Sequence, residues 1–223
     1  MSTLTQERTT TTARNGRATP PDLDIPGVTR PMTYDEYLAS PEENARYEIL
    51  DGYKVYRVWG KDNVPNPTRR HQDIQGNIYE HCRAFQRASR AAKTWQAACD
   101  IKISEKPLRT RQPDVLLISR DRLALNPPDT DPAPLSPAPE LVVEIVSPSD
   151  TPAVLAGKIA DYCRVGVREC WVVRPRTGMV ETVEVVRLFI DGTTETAAVY
   201  GTGEVVRSEA FPDLSVAVAD IFA

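Results

Sequence analysis

The chain has 223 residues, a formal net charge of −4 and a sequence pI near 5.4. That length favours one domain with appendages and is enough to bury a real core. The acidic sum argues against a general nucleic-acid binder, although a local basic patch would escape it, and the lack of any run of eighteen apolar residues argues against a membrane span.

Residues 1–30 are rich in Thr, Arg and Pro and are predicted to form a disordered tail, with a single domain over 31–223. No apolar h-region stands at the N-terminus, so the cytoplasm is the default compartment. MTYDEYLASPEE predicts a short helix, with Thr33 as N-cap and Glu36 completing a capping box. RYEILDGYKVYRV predicts two strands around the turn Asp51-Gly52, and Trp59 to Pro67 reads as a loop. From Thr68 to about Ala92, Ile74, Ile78, Phe85 and Ala88 fall at helical spacing, which predicts one long helix. TWQAACDIKIS, RQPDVLLIS and PELVVEIVSPSD then read as strands. TPAVLAGKIADYCRV predicts a helix with Thr151 as N-cap, Pro152 at its first position and Gly166 just past its end. RECWVVRP is a further strand, and a hairpin around Asp191-Gly192 follows. The closing AFPDLSVAVADIFA is predicted to pack back on the body.

The order strand, strand, strand, helix, strand predicts an α/β sandwich with a mixed sheet. Cys82, Cys99, Cys163 and Cys170 form no CxxC pair and read as buried thiols rather than a zinc site or disulfide framework.

PELVVEIVSPSD poses the functional question. Leu141, Val142, Val143, Ile145 and Val146 suit a strand covered on both sides, and Glu144 does not. A buried ionised Glu costs several kcal/mol unless it is paired, metal-bound or protonated. Asp114, at the mouth of the preceding strand, brings a second carboxylate if the two strands are neighbours. Two close carboxylates repel, and a hard divalent cation such as Mg²⁺ would relieve them. Lys158 lies on the edge of the apolar stripe of the next helix and needs an anion, whether Glu144 or a substrate phosphate. The plainer account stays open: Asp114 as a turn residue, Lys158 snorkelling, and Glu144 with Lys158 as a simple buried ion pair.

Pro113-Asp114, then Glu144 in ELVVEIVSPSD, then Lys158 in a helix followed by GVRECWVVRP, resembles the PD-(D/E)XK nuclease superfamily. The chain is more closely similar to its Uma-type family of restriction-endonuclease-like proteins. MTYDEYLAS, RYEILDG, His71 and FPDLSVAVADIF extend the resemblance from about Met32 to the C-terminus. It implies a restriction-endonuclease-like core, with a mixed β-sheet flanked by helices and additional antiparallel hairpins. The superfamily motif places a Lys two residues after the acidic strand residue; here that position is Val146, and in this family the helix supplies the matching Lys158.

The resemblance implies Mg²⁺, or Mn²⁺ in its place, held by Asp114, Glu144 and a backbone carbonyl near Ile145. It implies Lys158 as the group that orients water or stabilises charge, and Glu48 as an accessory acid. Gln112 and His71 are supporting candidates, with helix capping the other reading of His71. The implied substrate is DNA, and a homodimer fits the superfamily's habit of pairing. Arg83, Arg87, Arg90 and Arg111, with Arg69, Arg70 and Arg109 nearby, are candidates to meet phosphates; a solvated helix face explains the helical ones equally well. Two rivals remain beside the DNA endonuclease. One is a non-catalytic nucleic-acid or protein binding module on the same fold, and the other is a hydrolase of another phosphoester.

Overall fold

The computed structural model describes residues 11–12, 18–19, 25–41, 47–56, 68–128, 131–147, 150–175 and 180–223. The predicted loop Trp59 to Pro67 and most of the predicted tail lie outside these residues.

Two short strands come first, β1 (Thr11–Thr12) and β2 (Ala18–Thr19), paired antiparallel. Residues 25–30, placed in the tail by composition, form a turn against the next hairpin, where the Lys54 N–H donates to the Gly27 carbonyl at 2.5 Å. Helix α1 (Tyr34–Leu38) carries the predicted capping box, Thr33 accepting from Glu36 N–H and Glu36 from Thr33 N–H. Strands β3 (Tyr47–Leu50) and β4 (Tyr53–Tyr56) flank Asp51-Gly52, both at positive φ as a tight two-residue turn requires. Helix α2 (Arg69–Ser89) starts on Thr68, whose side chain accepts from His71 N–H.

The run TWQAACDIKIS is not one strand. It divides into β5 (Ala92–Gln96) and β6 (Ile101–Glu105), which belong to different sheets. β6 turns at Lys106-Pro107 into β7 (Leu108–Arg111), most of which precedes the predicted strand RQPDVLLIS. Its alternation is short and mostly polar, and its pairing sets its fold more than its own residues do.

Then come β8 (Val115–Ser119), α3 (Arg120–Leu123), β9 (Leu141–Ile145), α4 (Pro152–Arg164) and β10 (Glu169–Arg174). β11 (Thr182–Leu188) and β12 (Thr194–Tyr200) form the predicted hairpin. β13 (Val205–Arg207) leaves it to pair with β14 (Ser215–Ala217), and α5 (Val218–Ile221) ends the chain.

The main sheet has six strands in the order β12-β11-β10-β9-β8-β5. β9 and β10 are parallel, joined by the α4 crossover, and the other pairs are antiparallel. Both faces are covered. On one, α2 lays Ile74, Ile78 and Cys82 over Val115, Leu117, Val143 and Ile145, and the C-terminal residues Phe211, Leu214 and Ile221 complete the layer. On the other, Tyr162 and Cys163 of α4 meet Leu116, Val142, Val172 and Ile101. The strand alternation therefore fixes which side Glu144 faces: with Val142, it points to α4. Among the described residues no helix is long and apolar enough to cross a membrane. Of the four free cysteines, Cys82, Cys163 and Cys170 are buried and Cys99 is partly exposed.

Candidate active site

The acidic residues gather at one end of the sheet. Asp114 precedes β8, which pairs antiparallel with β9, so it lies beside the C-terminal end of β9 that carries Glu144. The Asp114 N–H donates to the Val143 carbonyl at 3.0 Å, continuing the ladder by one bond. Its side chain then takes over from the backbone, as Oδ2 accepts the Ile145 N–H at 2.8 Å. Oδ1 lies 3.2 Å from His71 Nε2, on the first turn of α2. Gln75, one helical turn on, donates to the Asp114 carbonyl at 2.9 Å. Asp114 is thus fixed by the strand and by the helix. The cap of α2 is Thr68 rather than His71, whose N–H donates to it and whose ring lies on Asp114.

Glu144 is 2% exposed. Lys158 Nζ donates to its Oε2 at 2.7 Å, and the Tyr162 hydroxyl donates to its Oε1. Burial raises the Glu144 pKa; the Lys158 charge opposes that rise and the neighbouring Asp114 adds to it. Burial, then the charge of Glu144, holds the Tyr162 hydroxyl well above its ordinary value, so it stays a donor.

Glu48 arrives from the β3–β4 hairpin, which is seated on β7 by the bonds Ile49 N–H to Thr110 Oγ1 and Gly52 N–H to the Leu108 carbonyl. Its Oε1 accepts the Gln112 N–H and its Oε2 the Arg111 guanidinium, both at 3.1 Å. Arg111 also donates to Asp161 at 2.8 Å, and Arg109 does so at 2.7 Å. Arg111 is buried and committed to these two carboxylates, so it has no open face for a phosphate. Its chemistry in this structure is to hold Glu48. Gln112 is buried as well, with its backbone on Glu48.

The remaining arginines stand away from this centre. Arg83 lies over the Tyr79 ring and donates to Gln86, Arg87 is exposed, and Arg90 is the left-handed C-cap of α2 rather than part of its face. At about 100° and 1.5 Å per residue, Arg83 and Arg87 point roughly 120–160° away from His71 and lie about 18–24 Å along the helix from it. Arg70 ties α2 to Glu181 and to the carbonyl of Phe222.

Tyr162, Asp161 and Asp150 are the site residues that sequence reasoning passed over. The spacing held the signal for two of them. Lys158, Asp161 and Tyr162 stand at i, i+3 and i+4 and share one face of α4. Asp150 follows β9 and has Oδ1 3.8 Å from Lys158 Nζ.

The donor set suits a hard divalent cation. The buried carboxylates Glu48, Asp114, Glu144 and Asp161 meet two buried cations, Arg111 and Lys158. Arg109 at the rim also meets Asp161, and a cation from outside would offset the close pair Asp114 and Glu144. Each carboxylate oxygen that already accepts one bond keeps a second lone pair for a metal. Among the described residues no three His, Cys, Asp or Glu side chains lie close enough to hold a metal alone. An ion here would complete its shell with water, backbone and substrate oxygens, as Mg²⁺ commonly does. Near Ile145 the N–H donates to Asp114, which sets the strand end whose backbone carbonyl is the predicted further ligand.

Comparison with known proteins agrees with this architecture. A crystal structure described as "a putative nuclease belonging to DUF820", from Anabaena variabilis, superposes with a TM-score of 0.65 at 22% identity, covering 86% of this chain and 98% of its own. At that identity the likeness establishes the fold. A search of curated proteins returned no match. The family model described as "Uma2: Putative restriction endonuclease" matches residues 34–219, from the first turn of α1 to α5, and the chain belongs to that family.

Proposed function

We propose that the protein is a Mg²⁺-dependent endonuclease, also served by Mn²⁺, that hydrolyses DNA phosphodiester bonds with metal-activated water. The observation that carries this reading is the convergence of Asp114, Glu144 and Lys158 at one sheet end, each supported by a further polar group. Family membership supports a nucleic-acid substrate.

Asp114 and Glu144 would hold the ion, which lowers the pKa of bound water and offsets charge on the phosphate oxygens. His71 and the Ile145 N–H keep the Asp114 carboxylate in one orientation. Tyr162 does the same for Glu144. Lys158 supplies a fixed positive charge where the attacked phosphate gains negative charge, and its N–H groups can orient the attacking water. Glu48, steadied by Arg111, is the accessory acid that can hold water at the rim. Cutting both strands of a duplex calls for two such centres, which a homodimer would supply.

The test is plasmid cleavage with and without Mg²⁺, alongside Glu144→Ala and Asp114→Asn. Nicking should require the metal and vanish in both variants. Variants that cut as well as the parent would assign the activity to a contaminant. Glu144 already accepts one bond on each oxygen, from Lys158 and Tyr162, as a purely structural carboxylate would; absence of both cleavage and metal binding would move the binding-module reading ahead.

A further inference from the structure

Lys158 lies between two carboxylates. Its Nζ is 2.7 Å from Glu144 Oε2 and 3.8 Å from Asp150 Oδ1. Asp150 is itself held in place, since its Oδ2 accepts the Ser147 N–H at 2.9 Å and the Ser147 hydroxyl at 2.7 Å. Those bonds tie Asp150 to Ser147 and leave Oδ1 on the side of the ammonium. Asp150 also lines a cavity of about 350 Å³ with Val146, Leu155, Ile159 and Arg174, so it stands at the solvent edge of the site.

We infer that Asp150 is a positioning residue: it is the carboxylate that receives Lys158 when a divalent cation takes Glu144. The inference rests on the metal reading proposed above. A cation bound to Glu144 at about 2.1 Å and an ammonium on the same carboxylate repel each other strongly in a buried setting. Lys158 must give up its bond to Glu144, and a buried ammonium left without an anion is costly. Asp150 removes that difficulty with little movement. Closing 3.8 Å to a charge-assisted bond of about 2.8 Å shifts Nζ by roughly 1 Å. Lys158 would then sit beside the metal without competing for its ligand.

The test is calorimetric titration of Mn²⁺ into the full-length protein without DNA, together with metal-free thermal unfolding. Asp150→Asn keeps an acceptor for the Ser147 N–H but loses the charge, and it should weaken Mn²⁺ binding roughly 10–100-fold. In a Lys158→Met background the same substitution should leave the affinity unchanged, because there is no ammonium to relocate. An equal loss in both backgrounds overturns the inference, since Asp150 would then act on the metal or the turn directly. Without metal, Glu144→Gln removes the charge of the first partner and leaves the Asp150 carboxylate beside Lys158. Asp150→Asn should therefore lower the Tm more in that background than in the wild type, and additive shifts also overturn it. If the wild-type protein takes up no Mn²⁺, the metal reading fails, and the unfolding arm alone decides whether Asp150 receives Lys158.

Discussion

Asp100 shows how burial and hydrogen bonding compete at a single carboxyl. It immediately precedes β6, and the Tyr37 hydroxyl of α1 donates to its Oδ2 at 2.5 Å. Burial pushes its pKa up to about 6, against the opposing bonds from Tyr37, Gln112 and Thr110, and nearby Glu48 adds to the rise. The sign of the stability effect follows from proton counting. Between about pH 4 and 6 the folded protein holds a proton here that the unfolded chain has lost, so stability falls as pH rises through that window. Above it, the ionised carboxyl costs on the order of 3 kcal/mol. Asp100→Asn keeps an acceptor for Tyr37 and removes the charge. Its Tm should exceed that of the wild type at pH 8, and the advantage should shrink towards zero at pH 4. A constant Tm difference across that range would show that Asp100 is ionised throughout.

Glu169 makes the same kind of argument for an element. It opens β10 and is 1% exposed, and burial raises its pKa despite its donors. The Trp171 indole donates to Oε1 at 2.6 Å; the Ser208 hydroxyl and the N–H groups of Glu209 and Ala210 donate to Oε2. One side chain thereby fastens the β13–β14 arm to the main sheet. Glu169→Ala strands those donors and should cost about 3–5 kcal/mol, a large share of a domain's stability. Amide exchange should quicken at Glu209 and Ala210 before the central strands respond, and uniform acceleration would mean that the arm and the sheet unfold as one unit. This tie was not legible in the sequence, and the reason is general to the fold. The caps at Thr33 and Thr151, the Asp51-Gly52 turn and the α4 stripe depend on residues within four positions, so the sequence displays them. Glu144 and Asp114 were legible because a charge interrupts an apolar strand. The β6–β7 hairpin, the Arg111 bridge from Glu48 to Asp161 and the Glu169 tie join residues 39 to 63 positions apart or depend on such joins, and no local pattern marks them.

At the scale of the whole molecule, the sheet decides where a nucleic acid can dock. β9 and β10 are parallel, and their C-terminal ends carry Glu144 and Arg174; Asp114, before antiparallel β8, reaches the same edge. Ligands of open α/β sheets bind outside the carboxyl ends of parallel strands, so the phosphates should meet this edge. The chain is acidic overall, and among the described residues Arg174 is a cation at this edge. Arg174 is 46% exposed at its side chain and paired only at 3.3 Å with Glu184, so it can turn to a phosphate at little cost. Arg83 and Arg87 are turned away around α2. Each phosphate contact contributes about one unit to the slope of log affinity against log salt. Duplex binding measured from about 50 to 200 mM salt, with Ca²⁺ replacing Mg²⁺ to hold back cleavage, should therefore lose about one unit of slope in Arg174→Ala. The pair Arg83→Ala and Arg87→Ala should leave the slope as it is. The reverse pattern would place the duplex along α2 and separate the binding surface from the acidic sheet end.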